Sequence, residues 1–531
     1  MSSQVETARS WASRYLAITA NRWFVVAVAA VVLLHLAVAL IGIYVAPLGF
    51  DEAYVAQSPW NLVAGHGYST LNCCGEGISY SVFDSLTSTG PVVLLPIAAS
   101  FALFGVGIVQ LRWTMVIFYA LLVAVSFVLG KRIGNRWIGL AAAVSVLALN
   151  LRIDFPRTVT WSMTDGLGEL PAAAFLLLAF VLLPRNKYWA ALAVGAAALC
   201  KLIVLVAVPA LVIAVLLLTP VVGHSGRAWF ARIKAVVVCG IIVAAPSVLW
   251  EIVKLISLGW EAYPTALKGY LSFIINSGSG ISHQGDAGDI PTRIAWVGDG
   301  WFIPWPLALA VLVIGLVLAV VAIRQAKRSD DTTHWIETRT IAIAAGGTIL
   351  MFLIWWIVIS TSFFLRHLFP GLFLIPPVLT AFAGAGLVHL LRSTSSRRAV
   401  KTTAWVVLVG WIGIAGWQVG NHLVQSVGSP AYSRADQVEV ANLIAERFPD
   451  GVQHVAYFMN PEIQLLNQVP SYNYNFPVGT GPLVLSPQME DILPSVYEHA
   501  RSLCIDVVYE KNGFVVCTVD MDNPQDLGWN G

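Results

Sequence analysis

Charge is what this chain has least of. Asp, Glu, Lys and Arg make up 11% of its 531 residues, less than half of the roughly 25% usual in soluble domains. A solvated surface cannot be built from so few. With 57% hydrophobic residues and a mean hydropathy of +0.75, the remaining option is a surface that meets lipid, and hence a polytopic α-helical membrane protein. Neither sign dominates: 31 basic against 29 acidic residues leave a net charge of +2. The basic residues are scattered between apolar runs, which suits orientation signals and excludes a nucleic-acid partner. Cysteine is also sparse, six in all, and no histidine stands at zinc-ligand spacing from it. The glycine-rich turns that cradle nucleotides are missing, so no nucleotide cofactor is expected. No repeat of 20–50 residues and no low-complexity linker appears.

The apolar runs give about 11 spans, at 24–46, 112–130, 137–153, 166–184, 188–200, 202–219, 235–256, 301–323, 340–360, 368–391 and 402–420. Arg9, Arg14 and Arg22 precede the first, which is longer than a cleavable signal core, so the N-terminus is expected in the cytoplasm. The run 91–109 is the exception. If it crossed, the basic loop 131–136 and every later basic cluster would face outward, so it is read as lying along the membrane surface or re-entering. The same parity places loops 47–111, 154–165 and 257–300 of a membrane domain 1–420 outside, together with a small α/β domain at 421–531. In that domain Ser433-Arg434-Ala435-Asp436 opens a helix through Arg447, Val452–Tyr457 reads as a strand, and Ile505–Val508 and Phe514–Thr518 flank Lys511-Asn512-Gly513 as a hairpin. Cys504 and Cys517 are either a disulfide across it or two buried thiols.

On this topology acids and bases converge on one membrane face. The first outer loop opens on Asp51-Glu52 and also carries His66 and Asp84; the second carries Arg157 and Asp165, with Glu169 one helical turn further on. Lys201 sits between two apolar runs, and Arg366-His367 begins another. Carboxylates at that depth cost on the order of 2–3 kcal/mol each unless paired or hydrated, so function is their default reading. Plainer readings stand beside it. Asp51-Glu52 also suits a solvated span end, Asp165 a helix cap, Lys201 and Arg366 snorkelling cations, and His66 and His367 interfacial hydrogen-bond partners.

The order of these residues resembles a known family. Asp51-Glu52-Ala53-Tyr54, Asn61 to Tyr68, Ser88-Thr89-Gly90-Pro91, Arg157 to Asp165-Gly166-Leu167, Leu199-Cys200-Lys201 and Leu365-Arg366-His367-Leu368-Phe369-Pro370 are similar to the GT-C class of integral-membrane glycosyltransferases. The nearest branch is that of protein O-mannosyltransferases and the lipid A aminoarabinose and galacturonic acid transferases. Three departures stand out: Gly90-Pro91 where Pro-Pro is common, His367 where Tyr is usual, and the vicinal Cys73-Cys74. The resemblance implies transfer of a sugar from a polyprenyl-phosphate donor to a lipid or glycan of the cell envelope, at the outer face of a plasma or inner membrane and with inversion; a protein acceptor is the runner-up. It assigns Asp51 as base, Glu52 to orient Asp51 or the acceptor, and Asp165 to hold acceptor or metal. Arg366, Lys201 and Arg157 would receive the phosphate, with His367, His66, Asp84 and Glu169 in the same substrate site. Asp51 and Asp165 offer hard oxygens that suit Mg or Mn, a divalent cation being optional across the class. A transporter would instead gather charge at the membrane midplane, and a lipid-binding scaffold would have no need of Asp51.

Overall fold

The computed structural model describes residues 2–71, 80–83, 88–149, 152–153, 159–160, 162–218, 226–276, 289–299, 304–360, 365–393, 397–427, 432–455, 460–474, 481–492 and 494–519. The chain opens with α1 (Ser2–Tyr44), α2 (Phe50–Val63), α3 (Pro91–Phe104), α4 (Ile108–Ile133) and α5 (Arg136–Ser145). Next come α6 (Glu169–Leu182), α7 (Lys187–Cys200), α8 (Val208–Leu218), α9 (Gly226–Asn276) and α10 (Ile290–Asp299). The membrane part closes with α11 (Trp305–Arg328), α12 (Thr332–Ile354), the short α13 (Phe369–Leu372), α14 (Ile375–Arg392) and α15 (Arg398–Val427). Among the described residues seven helical stretches are long and apolar enough to cross a membrane, and five shorter apolar helices accompany them. Four of the five fall on the short spans expected from 137 to 219, and the fifth, α3, is the run expected to lie along the surface.

Local chemistry sets several of the ends. Asn135 and Asn186 each accept two backbone N–H groups from the first turn of α5 and α7, satisfying donors that a helix N-terminus leaves open. Among the span-length helices α4 and the 365–392 stretch lie deepest: half of the apolar window of α4 and 61% of that of 365–392 are buried, against 6% for α15. The outer helices therefore show lipid their apolar side chains. Ala172, Ala173 and Ala174 of α6 are fully buried, and small side chains at such positions let α6 and α7 approach closely. The segment 257–300, expected as a loop, begins as helix, because α9 continues to Asn276 through a kink at Gly259, whose φ of 78° suits glycine.

Beyond α15, α16 (Arg434–Arg447) starts on a capping box in which Ser433 and Asp436 satisfy each other's backbone N–H groups. Two antiparallel pairs precede this region, β1 (Ser69–Leu71) with β2 (Tyr80–Val82) and β3 (Arg152–Ile153) with β4 (Val159–Thr160). The C-terminal sheet contains β5 (Val452–Val455), β6 (Ser471–Tyr474), β7 (Gly481–Leu485), β8 (Cys504–Lys511) and β9 (Phe514–Val519), in the order β6-β5-β7-β9-β8. Here β5 runs parallel to β6 and β7, while β9 is antiparallel to β7 and β8. Asn512 and Gly513 both have positive φ, as a two-residue hairpin turn of this kind requires. Cys504 and Cys517 form a disulfide across the hairpin. Strand β5 covers Val452–Val455 of the expected Val452–Tyr457, and Tyr457 lies outside the described residues.

The short α17 (Pro461–Asn467) packs on α16 and on α2. Its Glu462 is buried, with Oε2 lacking a hydrogen-bond partner, and burial pushes the carboxyl from 4.5 up to about 7. A folded pKa above the unfolded one means that stability is fullest below about 4.5 and is lost as pH rises through about 7, by on the order of 3 kcal/mol. Glu462→Gln is expected to flatten that part of the pH profile of thermal unfolding; equal slopes for the two proteins would refute the account.

Candidate active site at one end of the helix bundle

Three ion pairs gather where α2, α4 and α6 begin and α7 ends. The deepest centres on Arg112, near the start of α4 and fully buried. Its Nε donates to Glu52 Oε1 at 2.9 Å and its Nη2 to Glu52 Oε2 at 2.7 Å, a bidentate fork. Nη1 donates to the carbonyls of Gly42 and Ala46, and Nη2 also reaches Pro47 O at 2.8 Å. These carbonyls lie in and just beyond the last turn of α1, where no further helical N–H is available. One guanidinium therefore caps α1 and neutralises α2, using the fixed fork of donors that Lys lacks.

Glu52 is 1% exposed, and its Oε1 also accepts the Gly166 N–H at 3.1 Å. That bond ties the start of α2 to the turn before α6. Asp165 is drawn in at the edge, with Oδ1 3.5 Å from Arg112 Nη2 and Oδ2 accepting Ser162 N–H at 3.0 Å. Burial and the neighbouring Glu52 push its carboxyl well above the usual carboxylate range, against the pull of Arg112. It does not cap α6, whose N-cap is Gly168.

The second pair joins Lys201 Nζ to Glu169 Oε1 at 3.0 Å, with side chains 10% and 0% exposed. Backbone contacts hold it in place. Lys201 is extended and makes a β-bridge with Thr89, while Gly90 N–H donates to Cys200 O at 3.0 Å. Thr89 Oγ1 accepts the Gly168 N–H at 3.1 Å. A Cβ at Gly168 would lie 2.1 Å from Cys200 O, so only glycine lets the start of α6 meet the end of α7.

The third pair is the open one. Arg366 Nη1 pairs with Asp51 Oδ2, and their side chains are 20% and 43% exposed. His367 beside it is partly buried, and Leu368 to Leu372 are buried beneath. The structure thus brings together Asp51, Glu52, Asp165, Glu169, Lys201 and Arg366. His66 is not among them: it lies past the C-terminal end of α2, roughly 20 Å along the helix from Asp51 at 1.5 Å per residue. There it is exposed and stacks on Tyr80 at 4.3 Å. Asp84 and Arg157 lie outside the described residues.

The same helix arrangement occurs in solved structures. ArnT from Cupriavidus metallidurans bound to undecaprenyl phosphate aligns with a TM-score of 0.59 and 13% identity over 93% of this chain and 98% of its own. The apo state gives 0.57 and 15%, over 94% and 98%. The chain has the GT-C fold of ArnT. The likeness is one of fold, at low identity, and an oligosaccharyltransferase from Archaeoglobus fulgidus follows at a TM-score of 0.48 and 10% identity, over 83% of this chain and 64% of its own. No protein-family model matches the sequence, and neither does any curated protein.

Within this GT-C fold Arg112 is the residue that sequence reasoning missed. Its signal was present, since a lone Arg heading an apolar run must find a partner. The cation option finds little support in the donors: Asp51 and Asp165 each face an arginine, and among the described residues no three His, Cys, Asp or Glu side chains gather as a metal site. Removing the guanidinium strands a buried carboxylate and several carbonyls. Arg112→Met is therefore expected to cost about 3–5 kcal/mol, with Arg112→Lys recovering only part; unfolding midpoints in detergent at the wild-type value would contradict this.

Proposed function

We propose that the protein moves a sugar from a polyprenyl-phosphate donor to a lipid or glycan of the cell envelope, at the extracytoplasmic face and with inversion. The observation that carries the proposal is the open Asp51–Arg366 pair, a carboxylate and a guanidinium at the accessible edge of an otherwise buried charge cluster. The ArnT fold supports it, with one of those structures holding undecaprenyl phosphate. On this proposal residues 1–420 form the membrane domain and 421–531 an outer domain. The Cys504–Cys517 disulfide suits an oxidising exterior.

Asp51 takes the proton of the acceptor hydroxyl as its oxygen attacks the anomeric carbon from the face opposite the phosphate. The bond from that carbon to the phosphate oxygen breaks, and the electron pair stays on the polyprenyl phosphate. A phosphate is already a stable anion, so it needs cations rather than an acid. Arg366 supplies the first. Donor phosphate and Asp51 compete for its guanidinium, so donor binding releases the carboxylate to act as base. Lys201, held by Glu169, is the second cation. Glu52 has no surface left for an acceptor and acts as a positioning residue for Asp51; Asp165, at the rim, holds the acceptor.

The test is transfer of radiolabelled sugar from total polyprenyl-phosphate-sugar lipids by purified protein, with lipid, glycan and peptide acceptors in parallel. Wild type is expected to label an envelope acceptor, and Asp51→Asn to lower kcat by about 10²–10⁴-fold. Label on peptide alone would replace the acceptor with a protein, and undiminished transfer by Asp51→Asn would remove it as base.

A further inference from the structure

Asp51 stands one residue into α2, and no side chain caps that helix: its N-cap is Gly49. The short link from α1 to α2 is gripped from two sides instead. Arg112 holds the carbonyls of Ala46 and Pro47. Leu48, the next residue, is held by the C-terminal region. Gln437 of α16, fully buried, accepts Leu48 N–H on Oε1 at 2.8 Å and donates from Nε2 to Leu48 O at 2.8 Å. Both faces of one peptide position are thus bound by one side-chain amide from 389 residues away. Around it, Arg434 Nη1 reaches Ile43 O at 3.3 Å, and Gln57 of α2 donates to Gln464 of α17 at 3.2 Å.

We infer that Gln437 is a positioning residue for the Asp51 turn, so that the C-terminal region forms part of the active site. This rests on the proposed transferase reading for its catalytic consequence, but not for its geometry. Docking alone would be served by apolar contact. An amide spent entirely on the backbone that carries Asp51 fixes where the carboxylate stands, and small displacements of a base are costly in rate. A buried amide in this role needs both a donor and an acceptor, which an apolar isostere lacks and a protonated carboxyl reproduces.

The experiment is amide hydrogen exchange on full-length protein in detergent, comparing wild type, Gln437→Met, Gln437→Glu and, as a control in the same region, Arg501→Ala, which breaks an exposed pair with Glu510. Gln437→Met is expected to speed exchange at Leu48 and Ala53 roughly tenfold while leaving β9 unchanged. Gln437→Glu is expected to keep both bonds while its carboxyl is protonated and to lose the donor to Leu48 O as it ionises, so that exchange at Ala53, corrected for its intrinsic pH dependence, speeds up over that titration; Arg501→Ala is expected to match wild type. In the transfer assay Gln437→Met should lower kcat about tenfold with KM within twofold. Wild-type exchange at Leu48 in folded Gln437→Met would overturn the inference, as would acceleration spread evenly through β9. A wild type inactive in transfer but showing the local exchange response would instead overturn the transferase reading and leave the clamp standing.

Discussion

A buried guanidinium organises this end of the molecule. Arg112 sits where three segments meet, and each is left with an unmet electrostatic demand: the open carbonyls of α1, the buried Glu52 carboxyl of α2, and the loop at Asp165. Separately, each demand would be costly near hydrocarbon, where water is not at hand to answer it. Together they are met by one planar group with donors on three sides. The arrangement also explains why Glu52 and Asp51, adjacent in sequence, have such different surroundings. Successive residues on a helix point about 100° apart, so anchoring Glu52 inward leaves Asp51 at the edge.

Much of the fold was legible because lipid enforces simple rules. The expected apolar runs hold helices, although α1 and α9 extend well past theirs, and the run 91–109 that parity set apart holds the short helix α3. The C-terminal helix and hairpin were readable from Ser433-to-Asp436 and Asn512-Gly513, whose backbone chemistry is local. The site was legible as a list and not as an arrangement. Asp51, Glu52, Asp165, Glu169, Lys201 and Arg366 can each be named from the sequence, but their pairing depends on how segments far apart in the chain fold over one another. In the sequence Lys201 is a charge between apolar runs, while helical spacing puts its partner Glu169 beside Asp165; α6 begins only at Glu169, so that spacing is not imposed. Arg112 was absorbed into a span, because hydropathy averages over a window and one cation does not break it.

The C-terminal sheet illustrates a different limit. Its strands carry ordinary signals, yet nothing in Gln437 or Gln464 marks them as meeting a helix that lies nearly 400 residues earlier. Amides are neutral and common in helices, so their role emerges only when the facing backbone is known. The polar character of that junction is informative in itself: Gln57, Gln437 and Gln464 are all buried there. Directional bonds fix angle and register in a way that apolar packing does not.

The lengths of α6 and α7 carry a further meaning. Each has 14 residues, or about 21 Å at 1.5 Å per residue, whereas the hydrocarbon layer is about 30 Å thick. Almost all of α6 is buried against its neighbours, so its short length is met by protein and not by lipid. The groups at the end it shares with α7 therefore have to satisfy one another, and the Glu169–Lys201 pair, the bridge from Lys201 to Thr89 and the bond from Gly168 N–H to Thr89 Oγ1 do so. That end of the two helices is a wall of mutual partners that needs no water to stand.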